Sequence, residues 1–134
     1  MSKIRKILYI DDNQSYLRLV IDLMEDTVVE VLTASDPHEG LRMAMVTPHL
    51  DLVLLDIDMP GLTGVDILSQ LRGLKRTSQF PVIMLSARQD LATIKEIQSW
   101  GVRDYLLKPF PLSDLIQRIQ FYLGRDIFER SLYA

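Results

Sequence analysis

Four apolar runs in this sequence end on a residue that can do chemistry. KILYI (6–10) runs into Asp11 and Asp12, LVLLD (52–56) closes on Asp56, PVIML (81–85) runs into Ser86, and DYLLK (104–108) closes on Lys108 ahead of Pro109. Gathered in one place, three carboxylates repel one another. Two unit charges about 4 Å apart cost roughly 4 kcal/mol at an effective dielectric near 20, and one lysine cannot offset that for three acids. A divalent cation with oxygen ligands can. The hard donor set, with no cysteine in the chain and no histidine near these runs, favours Mg²⁺, with Mn²⁺ as the alternative occupant. A cation beside a carboxylate, a hydroxyl and an ammonium suits a phosphoryl group, whose oxygens the cation and Lys108 would neutralise while a carboxylate attacks phosphorus.

These residues converge only if the elements carrying them are parallel strands. The four runs, with VVEVLTA (28–34), are too short for helices and rich in Val, Ile, Leu and Tyr, so they read as strands. Segments of helical period separate them, at 14–26 and roughly 37–46, 64–74, 88–100 and 112–123. In the last of these, Leu112, Leu115, Ile116, Ile119 and Leu123 form a stripe. Asp36-Pro37 reads as a helix start, and Gly101 as a left-handed helix end. Residues 52–55 and 82–85 are apolar without alternation, as expected of strands covered on both faces. Five strand–helix repeats predict an α/β fold, a doubly wound five-stranded parallel sheet with five helices. The carboxyl ends of all strands then share one edge, where such sheets bind ligands. The second run ends in Ala34-Ser35 and is expected at the sheet edge, away from the site.

The totals fit one domain. The chain has 134 residues, 48% of them hydrophobic, a net charge of −3 and a pI near 5.3. That is enough for one core and no second domain of ordinary size, and the charge gives no reason to expect direct nucleic-acid or membrane binding. The apolar run near the N-terminus is only four residues long before acids interrupt it, too short for a signal peptide. A cytoplasmic location is the expectation.

In order and spacing, YIDDN (9–13), LLDIDMPGLTG (54–64), VIMLSA (82–87) and DYLLKPF (104–110) resemble the receiver domain of two-component response regulators, over essentially all of 4–123. The resemblance implies a flavodoxin-like sheet of order 2-1-3-4-5 and a phosphorylation-dependent signalling switch that catalyses only its own phosphorylation and dephosphorylation. Asp56 would be the phosphoacceptor, charged by a sensor histidine kinase, a phosphotransfer protein or a small phosphodonor. Asp11, Asp12, Asp56 and the backbone carbonyl of Asp58 would hold Mg²⁺. Ser86, the Ala87 backbone and Lys108 would bind the phosphoryl group, and Ser86 with Tyr105 would form the switch. The Lys108–Pro109 bond is expected to be cis by the same likeness, since chain chemistry alone makes only about 5–6% of such bonds cis. Pro60, Gly61 and Gly64 read as the turn into the third helix. Asp58 and Arg88 are expected to pair across the mouth of the site and tune dephosphorylation.

Other readings of the same residues are blander. Asp11-Asp12 could cap the helix beginning near 14, Ser86 could sit in a turn, and Tyr105 could simply pack. Met43, Met45, Met59 and Met84 read as core or gap fillers, Trp100 as packing the end of the fourth helix or as part of an exposed partner face, and His38 and His49 as surface residues far from the site. DIDMP also resembles the Asp-x-Asp element of haloacid-dehalogenase-type phosphatases, but that family places the motif near its N-terminus and its acidic pair late. A binding module that never uses phosphate is a third reading. A flavodoxin-like cofactor carrier would want a hydroxyl- and glycine-rich loop where DDNQS stands.

The domain is expected to span 1–124, with 125–134 a helix extension through Ile127, Phe128 and Leu132, or a tail. That remainder is too short for an effector, so the chain is either a stand-alone receiver or part of a longer one. Output is expected from the face of the fourth helix, fifth strand and fifth helix, toward a partner or output domain. A homodimer through that face is also envisaged. Asp104, Asp114 and Arg118 match part of the charged set of receivers that dimerise this way, whereas Arg103 and Ile94 depart from it.

Overall fold

The computed structural model describes residues 4–128. Strands β1 (Arg5–Ile10), β2 (Val29–Ala34), β3 (Leu52–Leu55), β4 (Val82–Ser86) and β5 (Asp104–Leu107) alternate with helices α1 (Gln14–Leu23), α2 (Pro37–Val46), α3 (Gly64–Gly73), α4 (Leu91–Ser99) and α5 (Leu112–Leu123). All strand pairs are parallel and the order is β2-β1-β3-β4-β5, as expected, with β2 at an edge.

Period 2 along the central strands feeds two cores. Leu8, Ile10, Val53, Leu55, Val82 and Met84 face Ala44, Ile67, Leu68, Leu71 and Ile97 of α2, α3 and α4. Ile7, Tyr9, Leu52, Leu54, Ile83 and Leu85 face Leu17, Val20, Leu115, Ile119 and Leu123 of α1 and α5. Apolar residues on both faces explain the unbroken runs in the sequence. Each fully buried aliphatic side chain of this kind contributes about 1.5–3 kcal/mol.

Helix ends account for the differences in boundary. α1 stops at Leu23 rather than 26, because the chain turns at Met24, whose carbonyl accepts the Thr27 hydroxyl at 2.7 Å. α4 begins at Leu91 rather than 88, because Asp90 is its cap and accepts the Thr93 N–H at 3.1 Å. Residues 88–90 therefore belong to the loop beside the site. Asp36 caps α2 with Pro37 in its first turn, and Gly101 has φ +82°, both as read from the sequence.

α5 does not continue into Ile127 and Phe128. It ends at Leu123, Gly124 takes φ +104°, and a 3₁₀ turn follows over Arg125–Phe128. Ile127 is fully buried in the α1/α5 core, its carbonyl accepts the Val28 N–H at 3.3 Å, and Asp126 pairs with Arg5 at 2.9 Å. Leu132 lies outside the described residues. Met59 and Met84 are buried and Met43 packs against the core, but Met45 is exposed at the surface of α2. Trp100 is likewise exposed, and it is its backbone carbonyl that is used, accepting Arg72 Nε at 2.8 Å.

Candidate functional site

The register of the sheet delivers the predicted residues to one edge. Ile10, Leu55, Met84 and Tyr105 share a rung. Asp11 and Asp56 stand one residue beyond it, Ser86 two and Lys108 three. The ladder continues into the site, with Asp56 N–H donating to the Ile10 carbonyl at 3.0 Å and Lys108 N–H to the Ser86 carbonyl at 2.9 Å. A cleft of about 380 Å³ opens there, lined by Asp11, Asp12, Asn13, Tyr16, Asp56, Asp58, Ala87, Lys108 and Pro109. The Lys108–Pro109 bond is cis.

Asp11 is wholly buried and fully engaged. Its Oδ1 accepts the Asn13 N–H at 2.9 Å, and its Oδ2 accepts the Tyr9 hydroxyl at 2.7 Å and Lys108 Nζ at 2.6 Å. Asp12 is exposed at the rim. Asp56 is 6% exposed, and its Oδ1 lies 3.6 Å from Lys108 Nζ. Burial raises the Asp56 carboxyl to about 6, and the Asp11 charge pushes the same way, against the pull of Lys108 and the Ile57 N–H. One carboxylate oxygen from each of Asp11, Asp12 and Asp56 lies within 4.8 Å of the others. A cation holding oxygens at about 2.0–2.1 Å nearly bridges that separation. Carboxylate oxygens also keep lone pairs beyond the hydrogen bonds they already accept. The donor set therefore fits a small hard divalent ion and gives a softer metal no sulfur or nitrogen.

Gly64 sets how closely α3 approaches. A Cβ there would stand 2.0 Å from the Asp56 carbonyl oxygen, and the Gly64 N–H donates to the Ile57 carbonyl at 2.8 Å. Gly61 has φ +89° in the turn between β3 and α3. Thr63 and Asp66 then start α3 with reciprocal cap hydrogen bonds. His38 is nearer than expected: its Nε2 lies 3.6 Å from where a Gly61 Cβ would be, against that turn, although neither histidine lines the cleft.

Across the mouth, Arg88 Nε lies 3.5 Å from Asp58 Oδ1 and 3.5 Å from Asp90 Oδ1, with all three side chains well exposed. The Asp58–Arg88 pair expected from the sequence is present, joined by an Asp90 arm the sequence reading did not foresee. Exposed pairs of this kind contribute about 0–1 kcal/mol each. Ser86 is buried, and its Oγ accepts the Arg88 N–H at 3.2 Å. Tyr105 is half-buried against the α2/α3/α4 core, and its hydroxyl donates to the Arg88 carbonyl at 2.6 Å. Burial raises the Tyr105 phenol above its usual range.

Two contributors escaped the sequence reading. Tyr16 lies under Lys108, with Nζ 4.3 Å from its ring centroid, and stacks obliquely on Phe110 at 5.8 Å. Tyr9 holds Asp11 from below. Its signal was in plain view: one tyrosine among aliphatics in a buried strand, two residues before an acid and hence on the same side.

On the face of α4, β5 and α5, Asp104 and Arg118 pair within the chain at 3.2 Å, and the Tyr122 hydroxyl donates to Asp104. Asp104 is therefore occupied inside the domain, whereas Asp114 and Arg103 stand exposed. Leu91, Leu107, Leu112 and Phe121 are exposed, Phe121 at 79%. Among the described residues no helix is long and apolar enough to cross a membrane.

A family model described as "Response regulator receiver domain" matches residues 7–120. The chain is 38% identical over 122 residues to the transcriptional regulatory protein CpxR of Klebsiella pneumoniae, covering 90% of this chain and 50% of that protein. It is 35% identical over 122 residues to the alkaline phosphatase synthesis transcriptional regulatory protein PhoP of Bacillus subtilis, covering 91% and 50%. The chain thus spans about half the length of these curated relatives. Among solved structures, a response regulator receiver domain protein from Clostridium thermocellum superposes with a TM-score of 0.78 at 36% identity, covering 91% of this chain and 96% of that one. The chain belongs to the response regulator receiver domain family of two-component signalling.

Proposed function

We propose that this domain is a phosphorylation-dependent switch in which Asp56 accepts a phosphoryl group and the face around Ser86 and Tyr105 reports it. The observation that carries the reading is the placement of Asp56, at the end of a central strand, between Asp11 and Asp12 on one side and Lys108 on the other, and open to a cleft. Asp56 is the carboxylate that combines burial with access, as an attacking group needs. An Asp56 carboxylate oxygen forms the bond to phosphorus as the bond to the donor's leaving group breaks. That group, the imidazole of a phosphohistidine or the carboxylate of an acyl phosphate, departs with the bonding electron pair.

Asp11, Asp12, Asp56 and the Asp58 carbonyl would hold Mg²⁺ or Mn²⁺, which supplies charge neutralisation at the phosphoryl oxygens. Lys108 neutralises a further oxygen, and Ser86 with the Ala87 N–H receives the others. Ser86 Oγ carries the Arg88 N–H, and Tyr105 is bonded to the Arg88 carbonyl, so a movement of Ser86 toward phosphate is felt at Tyr105. The exposed Leu91, Leu107 and Leu112, on α4, β5 and α5, favour output from that face, to an output domain, a partner or a second copy. The donor would be a cytoplasmic sensor histidine kinase or phosphotransfer protein. A phosphatase using Asp58 as general acid is disfavoured, because that side chain is exposed and engaged by Arg88.

The test is intact mass after incubation with acetyl phosphate and Mg²⁺. One phosphoryl adduct, absent in Asp56→Asn and absent with chelator, is expected. No adduct, or an adduct retained in Asp56→Asn, overturns the assignment.

A further inference from the structure

The β1 segment reads Ile7-Leu8-Tyr9-Ile10, every side chain fully buried. Tyr9 is the anomaly, because a buried phenol needs a partner that leucine or phenylalanine would not. Its partner is Asp11 Oδ2, the oxygen that also accepts Lys108 Nζ. The donors to Asp11 differ in kind. Tyr9 and the Asn13 N–H belong to β1 and the cap of α1, fixed relative to Asp11 by the chain itself. Lys108 comes from the far side of the cleft and stands 2.6 Å from Asp11 but 3.6 Å from Asp56. It is the donor that has somewhere else to go.

Resting on the phosphoacceptor reading above, we propose that Tyr9 is a positioning residue for phosphoryl transfer: its hydroxyl keeps Asp11 Oδ2 hydrogen-bonded so that Lys108 can pass from Asp11 to the phosphoryl oxygens on Asp56. When Lys108 leaves, Oδ2 of a wholly buried carboxylate would otherwise lose every protein donor it has in this structure, and a buried acceptor left without a hydrogen bond is costly. With Tyr9 in place the carboxylate stays satisfied and in the same orientation.

The experiment compares wild type with Tyr9→Phe, which removes one oxygen and keeps the ring. Tyr9→Leu serves as the second apolar replacement should the phenylalanine variant pack badly. The probe is beryllium fluoride, an inert phosphoryl mimic, titrated at saturating Mg²⁺ and followed by amide NMR shifts around Asp12 and Ala87. Mg²⁺ binding alone is measured by calorimetry. Tyr9→Phe is expected to weaken the mimic about tenfold while changing Mg²⁺ affinity less than twofold, because Lys108 still satisfies Asp11 before the phosphoryl group arrives. In a Lys108→Ala background, where there is no ammonium to hand over, Tyr9→Phe should cost little further. Equal affinity in wild type and Tyr9→Phe, or the same tenfold loss in the Lys108→Ala background, overturns the positioning role and leaves the phosphoacceptor reading standing. A wild-type protein that takes up no mimic overturns both.

Discussion

Asp56 is a buried carboxyl beside a second buried carboxyl, and that has a measurable consequence. Its carboxyl is held at about 6, well above the ordinary carboxylate range, by burial first and by Asp11 second. A raised carboxyl means that the folded state binds a proton more tightly than the unfolded state. Between about pH 4 and 6 the folded chain therefore carries more protons, and stability falls as pH rises through that window. Above 6 the penalty is fully present. About two pH units correspond to roughly 3 kcal/mol. The side chain opens onto a cleft that water enters, so about 1 kcal/mol is the fair expectation. Asp56→Asn removes the charge and keeps the shape. With chelator present at pH 7.5, the variant should be more stable than wild type by that amount, about 4 °C in Tm for a domain of this size. The gain should shrink toward zero near pH 4. With Mg²⁺ the order should narrow or reverse, because the cation stabilises the wild type through the same carboxylate. Urea unfolding at several pH values, with chelator and with Mg²⁺, reads all three. An Asp56→Asn protein less stable than wild type in chelator, or a gain that does not change between pH 4 and 7.5, refutes the reasoning.

Asp58→Asn and Arg88→Ala should each change the decay rate of phospho-Asp56, by about two- to tenfold, since both remove the bridge across the mouth through which a hydrolytic water would enter; unchanged decay in both rejects a tuning role. Gly64→Ala should destabilise by about 3 kcal/mol or more and slow acetyl phosphate labelling, because its Cβ would fall 2.0 Å from the Asp56 carbonyl oxygen and force α3 away from β3; a variant with wild-type urea midpoint and labelling rate would show that the helix can shift freely.

How much of this was legible in the sequence depends on what each feature needs. The gathering of Asp11, Asp12, Asp56, Ser86 and Lys108 follows from short apolar runs and the geometry of parallel sheets, in which strand ends are brought together whatever the side chains do, whereas the strand order rests on the resemblance to receiver domains. Features that depend on where a side chain reaches were less visible. The start of α4 at Leu91 turned on Asp90 capping the helix, which moved Arg88 into the loop and gave it a second carboxylate. The end of α5 turned on Gly124, whose φ of +104° breaks a stripe that hydrophobic period alone would continue into Ile127.

Asp56 and Asp58 look equivalent in the string and are opposites in the fold, and period 2 does not explain it, since residues two apart share a side of a strand. The strand stops at Leu55, so Asp56 still has its N–H in the ladder to Ile10, whereas Asp58 lies beyond it in the turn. One acid is held by the sheet, buried, and raised in pKa. The other is exposed and pairs with Arg88. Tyr9 and Asp11 are also two residues apart, but there the chain is still extended, and the pair meets on one side as period 2 demands. The same spacing thus yields a hydrogen-bonded pair at the end of β1 and a division of labour at the end of β3. The last ladder hydrogen bond of each strand separates the two outcomes.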